Sequence, residues 1–138
     1  MTRFEELTVG QSATYTRRIG EREIRRFAEV SGDDNPMHLD PAFGARTRFG
    51  GVIAHGILTA GLISTVVGTR LPGPGAIYLS QSLRFLRPVR PGDTLTARVE
   101  VVELIPERRR VRLATTCTNQ DGDVVLDGEA LVLVDEVR

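Results

Sequence analysis

The chain has 138 residues, 41% of them apolar, and its 18 basic and 18 acidic residues cancel to no net charge. That is enough sequence for one domain with a real core, 1–138, and the balanced charge gives no reason to expect a nucleic-acid partner. All the basic residues are Arg and Cys117 is the sole cysteine, which excludes Schiff-base or P-loop lysines, intrachain disulfides and Cys-rich zinc sites.

The longest apolar run falls short of the roughly 20 residues a membrane span needs, so no membrane partner is expected. The first residues, Met1-Thr-Arg-Phe-Glu-Glu, carry no apolar signal region. A cytoplasmic, reducing setting is the expectation.

In chain order, Ser12–Arg18 alternates and contains Thr and Tyr, the pattern of a strand, and Gly20 breaks it. Glu21–Val30 then places Ile24, Phe27 and Ala28 at i, i+3 and i+4, an amphipathic helix with acidic Glu21 and Glu23 in its first turn. Gly32 is its stop. Residues 33–52 form a long connection rich in Asp, Asn, Pro and Gly, with a short helical turn over Pro41–Thr47. So long a connection inside a compact domain is either functional or a sign that the elements are wrongly assigned.

Ala54 to about Thr69 reads as the main helix. Its residues are nearly all small or apolar, which predicts burial on every side. Leu71-Pro-Gly-Pro-Gly ends it. Ala76–Leu86, Thr94–Leu104, Arg108–Asn119 and Val124–Val134 read as four strands, the last pair joined by the turn Gln120-Asp-Gly-Asp. Their simplest arrangement is an antiparallel meander. A helix this apolar, one strand before it and four after, predicts an α+β fold: one antiparallel sheet wrapped around a long central helix. A second copy of the chain would cover the helix's remaining side, so a homodimer is expected. Cys117, in the strand Ala114-Thr-Thr-Cys-Thr, is expected to be a packed thiol.

The functional signal is concentrated in one stretch. His38 and His55, the only histidines, lie in it, and Asp33 precedes His38 by five residues across the turn-forming Asn35-Pro36. A carboxylate and an imidazole on one loop can hold a water and share its protons. Taken singly, Asp33 is most simply a turn residue or cap and His38 structural; together they form an acid/base pair. Asp40 precedes Pro41 and reads as a helix cap. His55 reads as structural near the helix start. The cluster has no recognised ligand spacing such as His-Glu-x-x-His, so no metal is expected. Gly56 would let a substrate carbonyl approach the helix N-terminus, where free N–H groups and the dipole favour negative charge.

The run Ser31-Gly-Asp-Asp-Asn-Pro-Met-His-Leu-Asp-Pro-Ala-Phe, followed by Thr47-Arg-Phe-Gly-Gly-Val-Ile-Ala-His-Gly-Ile-Leu, closely resembles the MaoC-like (R)-specific enoyl-CoA hydratases of the hot-dog fold. Gly75-Ala-Ile-Tyr-Leu-Ser-Gln-Ser-Leu-Arg-Phe and Pro88-Val-Arg-Pro-Gly-Asp resemble that family's strands and turn, so the likeness covers most of the chain. The resemblance implies a sheet wrapped around a central helix, a dimer, and a catalytic loop overhanging the site. It places the catalytic aspartate and histidine on Asp33 and His38. The oxyanion donor falls near Gly56 and the active-site serine on Ser64, while Asn35 orients the loop within this substrate-binding group. Asp34 departs from the apolar or aromatic residue common at that place.

The expected activity is a hydro-lyase: water adds to trans-2-enoyl-CoA to give (R)-3-hydroxyacyl-CoA, or the reverse dehydration runs on a 3-hydroxyacyl thioester. The thioester is carried by coenzyme A or an acyl carrier protein, and no separate cofactor is expected. Arg84 and Arg87 are candidates for coenzyme A phosphates, since Arg suits phosphate recognition. The alternatives are an acyl-thioesterase on the same scaffold, and a non-catalytic acyl-binding partner subunit of a dehydratase heterodimer.

Overall fold

A computed structural model describes residues 2–136. Strand β1 spans Ser12–Ile19 and helix α1 Glu21–Ser31. Glu23 accepts the Gly20 N–H at 2.8 Å, which holds the start of α1. At its other end Gly32 adopts φ 80° and donates its N–H to the Ala28 carbonyl, a left-handed cap that glycine reaches without strain. Ile24 and Ala28 are buried as the spacing predicts.

Two short helices follow, α2 (Pro36–Leu39) and α3 (Pro41–Ala45), where the sequence predicted one turn. The Asn35 and Asp40 side chains cap them, accepting from the N–H groups of Met37 and Ala42 at 3.1 and 3.0 Å. Each is followed by Pro at the first helical position, where its missing N–H costs nothing. The main helix α4 runs Gly56–Thr69, so Ala54 and His55 lie outside it.

The remaining strands are β2 (Ala76–Gln81), β3 (Arg84–Phe85), β4 (Asp93–Ile105), β5 (Arg110–Thr118) and β6 (Val124–Val134). They form one antiparallel sheet in the order β1-β4-β5-β6-β2, with β3 also on β6. Only β4, β5 and β6 make the expected meander. The segment read as one strand, Ala76–Leu86, is two, and it pairs with the last strand instead of the next one. Leu86 to Gly92 crosses past the start of α4 before β4 begins, which carries the chain from one sheet edge towards the other. Gly128 is why the split strand can pair: a Cβ there would collide with the Ser82 backbone.

The sheet curls around α4. Leu62, Ile63, Val66 and Val67 of the helix pack on Leu95, Ala97, Val99, Val111, Leu113, Leu126 and Val132 of the sheet, all buried. Burying each large aliphatic side chain is worth up to about 1.5–3 kcal/mol. The alternation in β5 shows the physics plainly. Val111, Leu113, Thr115 and Cys117 point inward, and the Thr115 hydroxyl, buried among them, meets Gln81 Nε2 at 2.9 Å.

Within one chain α4 is not buried on every side. Ile57 (56% exposed), Gly61, Ser64 and Gly68 form an open stripe at helical spacing, because the sheet can wrap only one side of the helix. The outer edge strand β2 also leaves Ile77, Tyr78 and Leu79 exposed. The α+β arrangement of a sheet around a central helix is the one expected from the hot-dog resemblance.

Candidate active site

The loop between α1 and α4 holds itself in place through short-range bonds. Ser31 Oγ donates to the Phe27 carbonyl at 2.7 Å and accepts the Asp33 N–H at 3.1 Å. Asp33 Oδ1 accepts the Asn35 N–H at 3.3 Å, and Asn35 in turn caps α2. These Asx-type bonds shape the turn that precedes His38. The far part of the loop is tied down by Ile53 N–H to the Met37 carbonyl and Ala54 N–H to the Val89 carbonyl. Gly44 permits a close crossing here, since a Cβ would lie 2.6 Å from the Val52 nitrogen.

Both histidines are oriented by backbone carbonyls. His38 Nδ1 lies 2.7 Å from the Ile53 carbonyl oxygen, and His55 Nε2 lies 3.0 Å from the Asp33 carbonyl oxygen. A carbonyl only accepts, so each of these nitrogens is the N–H. In a neutral His38 ring the free lone pair is therefore at Nε2. The two rings stack, with centroids 3.9 Å apart and planes 29° from parallel, and Phe27 packs on His55 at 4.7 Å. One ligand-type atom from each of Asp33, His38 and His55 lies within 4.8 Å of the others. Asp33 is exposed, His38 half-buried and His55 buried. Such a donor set suits either proton transfer or a metal ion, and the two carbonyl bonds leave only His38 Nε2 and His55 Nδ1 as imidazole lone pairs.

His38 opens on a cavity of about 360 Å³, whose walls include Phe49, Gly56, Ile57, Phe85, Arg87 and Val125. Gly56 starts a 14-residue helix with no side-chain cap, leaving first-turn N–H groups for a ligand. Phe85 presses against it so closely that a Cβ on Gly56 would lie 2.5 Å from the ring. Under the first turn, Thr59 Oγ1 donates to the Gly56 carbonyl at 2.6 Å, and Cys117 Sγ lies 3.7 Å from the Thr59 carbonyl. Burial pushes the Cys117 thiol up to about 12, so it is packing material and no nucleophile.

The MaoC-like domain model matches residues 5–122 of this sequence. The chain belongs to the MaoC-like family. It is 60% identical over 131 residues to a 3-hydroxybutyryl-CoA dehydratase from Methylorubrum extorquens, covering 95% of this chain and 83% of that one. It is 53% identical to an (R)-specific enoyl-CoA hydratase from Rhodospirillum rubrum, covering 95% and 90%. Among solved structures it resembles the unliganded R-hydratase PhaJ1 from Pseudomonas aeruginosa, with a TM-score of 0.92 at 52% identity over 98% of this chain and 86% of that one.

In this MaoC-like chain the site residues expected from sequence fall in three places. Asp33 and His38 come together, and Gly56 lies on the wall of the cavity that His38 also lines. Asn35 lies at the helix cap between them. Ser64 stands two turns further along α4, on its open stripe and outside the residues that line the cavity. The two arginines part company. Arg84 forms a two-pronged bond to Asp127, at 2.9 and 2.8 Å, whereas Arg87 lines the cavity and only approaches Asp123 at 4.0 Å. Phe49, Ile57 and Phe85 give no sequence signal for the site, because aromatic and aliphatic residues on a cavity wall look like core residues.

Proposed function

We propose that this chain adds water across the double bond of a trans-2-enoyl-CoA, giving the (R)-3-hydroxyacyl-CoA, and runs the reverse dehydration through the same site. The observation that carries the reading is the His38 Nδ1 bond to the Ile53 carbonyl. It leaves the lone pair of a neutral imidazole on Nε2, in a ring that clusters with the Asp33 carboxylate and lines an apolar cavity.

Water held between Asp33 and His38 would give a proton to the pair as its oxygen bonds to C3 of the enoyl group. The pair returns one proton to C2, so the sum is the enoyl thioester plus water. The negative charge that develops on the thioester oxygen meets the free N–H at Gly56 and the positive end of the α4 dipole. Proton transfer by a positioned side chain contributes about 10²–10⁴-fold in rate. Nothing in this scheme needs a metal or a cofactor beyond the coenzyme A of the substrate. Relatives named for coenzyme A substrates, and Arg87 on the cavity wall, favour coenzyme A over an acyl carrier protein.

The test is turnover of crotonyl-CoA in ¹⁸O-labelled water with chiral analysis. Label in the hydroxyl at C3 of an (R) product supports hydration. Label in a free carboxylate, with release of thiol, would replace it with thioester hydrolysis.

The assembly proposed is a homodimer in the cytoplasm. The open stripe on α4 and the apolar edge strand β2 both offer surface that a second copy would cover. Sedimentation should give twice the 15.2 kDa chain mass, and a monomer would contradict this.

A further inference from the structure

His55 is 2% exposed, and its Nδ1 is buried with no hydrogen-bond partner among the described residues. Packing alone does not ask for histidine there. A phenyl ring would fill the space against Phe27 without stranding a nitrogen, and stranded buried polar atoms destabilise a fold. What the imidazole does that a phenyl ring cannot is donate Nε2–H to the Asp33 carbonyl at 3.0 Å. The imidazole also stacks on the face of His38, with ring centroids 3.9 Å apart. One buried side chain thus touches both members of the acid/base pair, one through backbone and one through its ring.

We propose that His55 is a positioning residue for the reaction, fixing the spacing between the Asp33 carboxylate and the His38 imidazole. This rests on the hydration reading above. Asp33 sits in an exposed turn whose other bonds are all within a few residues of it. The His55 bond, 22 residues away in sequence, is the one that ties this turn to the base of α4. Chemistry between two groups tolerates little slack, and a shift of about 1 Å can cost about 100-fold in rate.

The experiment measures kcat and KM on crotonyl-CoA for wild type, His55→Phe, His55→Gln, Asp33→Asn and the Asp33→Asn/His55→Phe double variant, with melting temperatures alongside. Phe keeps the ring and loses the donor; Gln keeps a donor at about the Nε2 position. His55→Phe should melt no lower than wild type, lose about 10- to 100-fold in kcat, and keep KM within about three-fold. His55→Gln should recover much of that loss. Because His55 acts through Asp33, the double variant should be about as slow as Asp33→Asn alone.

Wild-type kcat in a folded His55→Phe, or losses that multiply in the double variant, would overturn the role. If His55→Phe does not fold, His55→Asn serves instead, since its amide stops near the Nδ1 position and cannot reach Asp33. A His55→Asn enzyme as fast as His55→Gln would overturn it equally. An inactive wild type would instead bring down the hydration reading, and this role with it, whereas an active wild type with an unaffected His55 variant overturns the role alone.

Discussion

His38 gives its Nδ1 proton to the carbonyl of Ile53, 15 residues further along the chain, at 2.7 Å. The bond does two things at once. It joins the short helix carrying His38 to the extended segment that leads into α4, and it fixes which ring nitrogen keeps the lone pair. Loop and helix start are therefore one unit, and the chemistry proposed for Asp33, His38 and Gly56 depends on their staying so.

Gly56 is the tightest point of that unit. An added Cβ would meet the ring of Phe85, which is 54% exposed and also lines the cavity, so the ring would have to shift within the site. Gly56→Ala should therefore stay folded and lose about 10- to 100-fold in kcat/KM. Removing the ring as well, in Gly56→Ala/Phe85→Ala, should restore part of it. Steady-state kinetics on both variants checks this.

The two candidate arginines should behave differently. Arg84 is bound on both prongs by Asp127, whereas Arg87 lines the cavity with only a loose partner. Arg87→Ala should raise KM for crotonyl-CoA about five-fold with kcat unchanged, the mark of lost uniform binding. It should leave KM unchanged for the matching pantetheine thioester, which lacks the nucleotide phosphates. Arg84→Ala should leave both alone.

Cys117 has no exposure, and burial pushes its thiol up to about 12. Iodoacetamide at pH 8 should therefore leave the native protein unlabelled and modify one thiol per chain once denaturant is added. Mass spectrometry reads the result, and rapid native labelling would contradict the packing described.

Much of this architecture is legible in the sequence, and the parts that are not share a cause. Local pattern placed α1 through Ile24 and Ala28, and the Asp40 cap through the Pro that follows it. It located Asp33 and His38 on one loop. What local pattern cannot carry is pairing at a distance. The placement of β2 beside β6 depends on Gly128 meeting Ser82, and the open stripe of α4 on how far the sheet curls. His55 looks like any residue near a helix start until its ring is seen against His38, and Ser64 carries no sign that it lies on an open stripe of the helix.

Glu23 offers a pH test of the fold. The Gly20 N–H, and more weakly Arg17, hold its carboxyl below the ordinary 4.5. A lowered carboxylate stabilises the fold above its unfolded value, and the contribution disappears as pH falls through the folded one. Wild type should exceed Glu23→Gln in stability by about 0.5 kcal/mol at pH 7, a small figure because the charge adds only to one backbone bond and a loose ion pair with a well-exposed Arg17. The difference should shrink as pH drops below 4.5. Urea melts at neutral and acid pH measure it.

The most direct measurement is loss of enoyl-thioester absorbance from crotonyl-CoA, with wild type beside Asp33→Asn and His38→Ala at matched folded concentration. Wild type should show rapid loss, and each variant a fall of at least about 100-fold. Wild-type rates in both variants would contradict the hydration reading.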